Sequence, residues 1–125
     1  MDLEGYFENA EGFGLLATAG ADGTVDTAIY AKPHFLENGT VAFIMADRLS
    51  HKNVTENPKA AYTFVERGEG YKGKRLYLTK TAEDSDPERI AAMRRRALPA
   101  ECEARGEKRF LVTFRIDQVR PLVGD

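Results

Sequence analysis

Residues 109–119 alternate apolar and polar side chains almost without a break, and that period of two constrains the chain more than any other feature. Phe110, Val112, Phe114 and Ile116 point one way, and Leu111, Thr113 and Arg115 the other. A helix would need a period near 3.6, so the segment predicts a strand with one buried face. The same reading applies at residues 13–19, 24–32, 40–46, 59–66 and 75–81. Turn chemistry separates these runs. Gly20-Ala21-Asp22-Gly23 supplies residues suited to unusual backbone angles, and Glu37-Asn38-Gly39 carries the Asn-Gly hairpin signal. Pro33 ends regular pairing after the second run.

Two segments break the pattern. Residues 50–57 predict a two-turn helix with Ser50 as N-cap, stopped at Asn57-Pro58. Ser85-Asp86-Pro87-Glu88 opens a second helix: Ser85 and Glu88 have capping-box spacing, Pro87 suits the first turn, and Pro99 ends it. About six antiparallel strands with two or three short helices, and no strand–helix alternation, predict a mainly β chain. A small barrel with short helices suits this better than a doubly wound sheet.

Composition narrows the function. The 125 residues are 42% hydrophobic, enough for a single domain over residues 1–125 with its own core. The net charge of −2 argues against a protein held on nucleic acid mainly by phosphate contacts. The run Arg94-Arg95-Arg96 then reads as the solvated face of a helix. No apolar run approaches the roughly 20 residues of a membrane span, and the acidic start lacks a signal-peptide pattern. A cytoplasmic protein is the expectation, without nucleic acid or membrane as partner. The single Cys102 excludes a disulfide framework, and two histidines, His34 and His51, make no zinc cluster. Cys102 has no basic partner near it in sequence, so no nucleophile role is assigned.

One segment points to a ligand. Arg48-Leu49-Ser50-His51-Lys52-Asn53 places bases in the first turn of a helix, where they oppose the macrodipole. Such a turn is either a solvated basic cap or an anion site, above all for phosphate. Asp26, Tyr30 and Lys32 share one strand face, which lines a pocket or faces water. Gly68-Glu69-Gly70-Tyr71-Lys72-Gly73 matches the dinucleotide fingerprint in spacing only. A strand follows it where a helix is required, so it reads as a hairpin loop from which Tyr71 could reach a ligand. No residue stands out as a catalytic acid or base.

Taken in order, the glycine-flanked first strand, the alternating strand ending in Lys32, the hairpin, and Ser50-His51-Lys52 with Asn57-Pro58 behind it resemble the pyridoxamine 5′-phosphate oxidase-like family. The resemblance runs from about residue 12 to residue 81, and is nearest to the short members of the family. It implies an FMN-binding split barrel. The R-x-x-L-L-K strand motif of the oxidases corresponds to Thr27-Ala28-Ile29-Tyr30-Ala31-Lys32, and their S-R-K motif to Ser50-His51-Lys52. It further implies that Asp26, Thr27, Ala28, Ile29, Met45, Ala46 and Asp47 face the flavin. Ser50, His51, Lys52 and Asn53 would hold its phosphate, and Lys32 would act on the ring or the phosphate. A homodimer with flavin at the interface is implied, with Tyr62, Phe64, Tyr77 and Phe114 in that interface or in the core. The C-terminal Trp-Arg and R-x-H motifs of the true oxidases are missing, because the chain has no Trp and reads Gln118-Val119-Arg120-Pro121-Leu122 there. The implied function is an FMN-dependent oxidoreductase other than pyridoxamine phosphate oxidase, reduced by a nicotinamide or by a protein donor. A non-enzymatic electron carrier or FMN store is the alternative.

Overall fold

A computed structural model gives the fold and describes residues 2–94 and 108–124. In chain order the elements are α1 (Leu3–Asn9), β1 (Gly12–Ala19), β2 (Val25–Tyr30), β3 (His34–Phe35), β4 (Val41–Ala46), α2 (Leu49–Glu56), β5 (Lys59–Glu66), β6 (Gly73–Asp84), α3 (Pro87–Arg94) and β7 (Arg109–Pro121). The strands form one antiparallel sheet in the order β2-β1-β5-β6-β7-β4-β3. The sheet curls into a half-barrel of seven strands, one more than the alternation predicts. The extra one is β3, whose two residues are too short to show a period.

The inner face carries the core. Leu16, Val41, Met45, Tyr62, Phe64, Leu76, Val112 and Phe114 are fully buried there, and Phe43 and Leu78 are nearly so. Tyr62, Phe64 and Phe114 are therefore core residues, while Tyr77 is half-buried on the opposite face with the Arg120 guanidinium over its ring. A smaller cluster of Ala42, Leu111 and Ile90 lies behind β4 and β7, where α3 covers them.

The N-terminal helix α1 was not expected. Asp2 caps it by accepting from Gly5 N–H, and Phe7 inserts into the core against Phe64 with ring centroids 5.3 Å apart. The other helices form as predicted but are capped differently. Arg48, not Ser50, is the N-cap residue of α2, and it makes no side-chain cap hydrogen bond. Ser50 sits buried in the first turn instead. At α3 the Asp86 carboxylate, not Ser85, accepts from Glu88 N–H. Gly68 and Gly70 adopt positive φ in the β5–β6 loop, a hairpin connection as expected. Arg95, Arg96, Pro99 and Cys102 lie outside the described residues. Among the described residues, no helix is long and apolar enough to cross a membrane.

Candidate functional site

The sheet does not close on itself. Among the described residues, β2 pairs only with β1, and β3 covers β4 only at Val41 and Ala42. One edge of β2, and the edge of residues 43–46 of β4 that faces away from β7, therefore have no ladder partner among the described residues. Their outward N–H and C=O groups must find water or a ligand, because unpaired backbone groups are costly to bury. A cavity of about 390 Å³ lies along this seam. Its floor is apolar: Ala28, Ile29, Ala31, Phe43, Ile44, Ala46 and Leu49. Among the described residues its polar lining is Lys32, Arg48 and Arg109, with His34, Tyr30, Ser50 and Asp26.

Several contacts fix this geometry. Gly14 of β1 lies beside Tyr62, where a Cβ would come within 1.9 Å of the phenol oxygen. That absence of a side chain lets Tyr62 O–H pass and donate to Tyr30 O at 3.3 Å and Ala31 O at 3.1 Å. The end of β2 is thus tied to the core. The Tyr30 ring packs edge-on to Phe43, with centroids 5.9 Å apart. Burial raises the Tyr30 pKa and the nearby Asp26 charge adds to this, while a hydrogen bond with Ser50 partly offsets both. The phenol is therefore neutral, a donor or acceptor held at the cavity wall. Lys32 Nζ donates to Phe7 O at 2.7 Å and Ala10 O at 2.9 Å. Its charge thus caps the C-terminal end of α1, a favourable place for a cation.

The residues singled out by the resemblance divide into two groups. Asp26, Ala28, Ile29, Lys32, Ala46 and Ser50 line the cavity together. Thr27 is exposed on the outer face of β2, and Met45 is wholly buried in the core. Asp47 and His51 lie beside a separate depression on the far side of α2. The His51 ring stacks on Phe110 at 3.8 Å, with Nε2 2.9 Å from Glu83 Oε1 and Nδ1 3.8 Å from Asp47 Oδ1. Lys52 is exposed, with Nζ 3.6 Å from Glu56 Oε2, and lines a second cavity under the β1–β2 turn. Asn53 is buried, its amide donating to Thr18 Oγ1 at 3.0 Å. Tyr71 is 84% exposed and lines neither cavity. The sequence reading missed Arg109, and it took Arg48 only as part of a basic turn. Their signal was available: a basic residue opening the most regular strand, and one just before a helix. Among the described residues, no group of His, Cys, Asp and Glu could hold a metal ion.

No protein-family model matches the sequence, and no curated protein matches it. Solved structures do. An FMN-binding protein from Syntrophomonas wolfei superposes with a TM-score of 0.75 at 14% identity, over 95% of this chain and 82% of that one. An F420 reductase gives 0.71 at 18% identity, over 96% and 97%. A candidate pyridoxamine 5′-phosphate oxidase from Listeria innocua gives 0.66 at 17% identity, over 96% and 94%. The fold is the split barrel of the pyridoxamine 5′-phosphate oxidase-like proteins. The cavity of this split barrel is its seam, so the feature that makes the barrel split is also the one that leaves room for a ligand.

Proposed function

We propose that this split barrel binds a flavin, FMN, along the seam and serves as an oxidoreductase. The cavity between the two unpaired sheet edges carries this reading. A flavin ring system is flat, apolar on its faces and edged with carbonyl and N–H groups. The floor around Ala28, Phe43, Ile44 and Ala46 suits the faces, and the free backbone groups of β2 and β4 suit the edge. The cavity also lies within the range of about 300–1,000 Å³ usual for small-molecule sites. Bound flavin supplies the electron-transfer chemistry, and the protein supplies orientation and charge. Tyr30 and Ser50 would offer hydroxyl groups to the ring or to the chain attached to it. Lys32, held on the α1 carbonyls, would keep a positive field at one end of the cavity.

A homodimer belongs to the same reading. Val25 and Ile29 are 77% and 68% exposed on the outer face of β2, and Phe13 is 52% exposed on the outer face of β1. Ile29 lies opposite Leu15 on β1, so the apolar surface is continuous across the two strands. It also reaches the cavity, which Ile29 and Leu49 both line. Exposed apolar surface of this kind calls for a partner, and a second copy would shelter the open side of the seam.

The test is to purify the protein, record its absorption spectrum, and identify what denaturation releases. We expect a yellow protein that releases one FMN per chain and sediments at twice the chain mass. Colourless protein that takes up no added FMN would overturn the flavin reading. Reduction by NADH or NADPH with turnover would mark an oxidoreductase. Stoichiometric reduction without turnover would favour the electron carrier or store.

A further inference from the structure

We propose that the cavity under the β1–β2 turn is a binding site for an organic cation, an ammonium group carried on an apolar body. The cavity has its own lining, so the proposal does not require the flavin reading. It holds about 390 Å³, within the usual range for small-molecule sites, and it meets the seam cavity at Asp26 and Leu49, which line both. Among the described residues its charged lining is the carboxylates of Asp22, Asp26 and Glu56 against the single amine of Lys52. A buried amide oxygen adds to this demand for a donor. Asn53 is only 4% exposed and lines the cavity. Its Nδ2 donates to Thr18 Oγ1 at 3.0 Å, but its Oδ1 accepts no hydrogen bond among the described residues. A buried acceptor without a donor is costly, so the site calls for a donor from outside the chain.

Gly20 keeps the place open. A Cβ there would lie 3.2 Å from Asn53 Oδ1, 3.3 Å from Glu56 Oε1 and 3.6 Å from Asp22 Oδ1. Three oxygens from three residues thus converge over one bare α-carbon. Gly20 is not among the glycines with positive φ, so space and not backbone freedom is what its missing side chain provides. The turn holds these oxygens in position: Ala21 N–H donates to Glu56 Oε1 at 3.1 Å, and Thr24 N–H to Asp22 Oδ1 at 2.9 Å. A carboxylate oxygen that accepts one hydrogen bond has a lone pair left for a second. A cradle made only of acceptors suits a group made only of donors, and an ammonium carries three N–H bonds and no lone pair. The carboxylates form no metal-binding group among the described residues. The apolar side of the cavity, Ala21, Val25 and Leu49, offers a rest for the body of the ligand. Lys52 Nζ, exposed and 3.6 Å from Glu56 Oε2, is the chain's own cation at this place and competes with the ligand's.

The experiment titrates the full-length protein with benzylamine, protonated at neutral pH, and with benzyl alcohol, its neutral counterpart. Amide chemical shifts report both affinity and place. Benzylamine is expected to bind about tenfold more tightly than benzyl alcohol, to shift the amides of residues 20–26 and 49–56, and to weaken as salt is added. Gly20→Ala, which fills the cradle, is expected to weaken benzylamine about tenfold. Glu56→Gln, which keeps the acceptor for Ala21 N–H and removes the charge, is expected to weaken it about threefold. Lys52→Gln is expected to strengthen it about two- to threefold, a gain that a merely structural role for Lys52 would not give. The dispersion of each spectrum establishes that the variant is folded. Equal affinity for the two probes, shifts confined to other parts of the chain, or no saturable binding up to about 10 mM would overturn the proposal. So would unchanged benzylamine affinity in folded Gly20→Ala and Glu56→Gln. Uptake of FMN is measured separately on the same protein, and its failure would bear on the flavin reading alone.

Discussion

The closed wall of the barrel and its seam are built from the same strands on opposite principles. In the wall, β1, β5, β6 and β7 pair on both sides, and each contributes wholly buried side chains to the core. At the seam, β2 and the end of β4 pair on one side only, and the lining mixes apolar, cationic and hydroxyl groups. Burial of apolar surface is the main favourable term in folding, so the wall holds most of the stability. The seam gives up some of that stability in exchange for unpaired edges that a ligand can use. Stability and recognition are thereby assigned to different parts of one sheet.

The largest test of this division is Phe64→Ala. Phe64 is fully buried in the wall, packs on Phe7, and does not line the cavity. Truncating a buried Phe costs about 3–5 kcal/mol. Chemical denaturation is expected to show a loss of that size, with flavin affinity of the remaining folded protein within a few-fold of the original. A large fall in affinity would mean that the wall and the seam are not separable.

A second substitution probes the one side chain that joins the two regions. Tyr62 is buried in the wall, but its hydroxyl reaches over Gly14 to the carbonyls of Tyr30 and Ala31. Tyr62→Phe keeps the packing and removes that link. Because the phenol bonds two carbonyls at once, the expected loss of stability is about 1 kcal/mol. The expected effect on binding is the reverse of that for Phe64→Ala. Flavin affinity falls several-fold for a small change in stability, because the end of β2 is no longer fixed. Unchanged flavin binding in this variant would show that β2 is positioned by its ladder to β1 alone.

The wall was legible in the sequence and the seam only partly so, for physical reasons. β5 shows the predicted bounds, and β7 runs two residues beyond its prediction, because a strand with one buried face must alternate. β6 continues past Thr81 to Asp84, where an irregularity between Lys80 and Ala82 breaks the period that would have revealed it. Helix α1 had a signal in Leu3, Tyr6, Phe7 and Ala10, spaced as a helical face behind Asp2, but its seven residues are too few to stand out. On β2 the apolar letters mislead: Val25 and Ile29 are exposed while Asp26 and Tyr30 turn toward the cavity. An edge strand beside a ligand site need not bury its most apolar face in the monomer. In α2 the motif letters are adjacent in sequence but divided in space. Ser50 looks into the cavity and His51 away from it, a distinction that needs the helix axis and its neighbours.

The smallest expected effect lies on the side of α2 that faces away from the seam. Glu83 of β6 receives Lys80 Nζ at 2.8 Å and His51 Nε2 at 2.9 Å, joining α2 to the wall. Desolvation pushes the Glu83 carboxyl up, but the hydrogen bonds and charges of Lys80 and His51 together outweigh it and hold the pKa below its usual value. A carboxylate with a lowered folded-state pKa adds stability that is present above the unfolded value of about 4.3 and is lost as pH falls through the folded value. Thermal unfolding of the unaltered protein should therefore lose this contribution below about pH 4. Glu83→Gln removes it at every pH, so the two stability curves should converge in acid and differ near neutrality by a few tenths to about 1 kcal/mol, as for other partly exposed ion pairs. FMN and riboflavin affinities should be unaffected by Glu83→Gln at neutral pH if the clamp only fastens the helix. A gap that persists undiminished at pH 3 would show that Glu83 acts through packing and not through its charge. A selective loss of FMN would place the His51 side of α2 in the binding site after all.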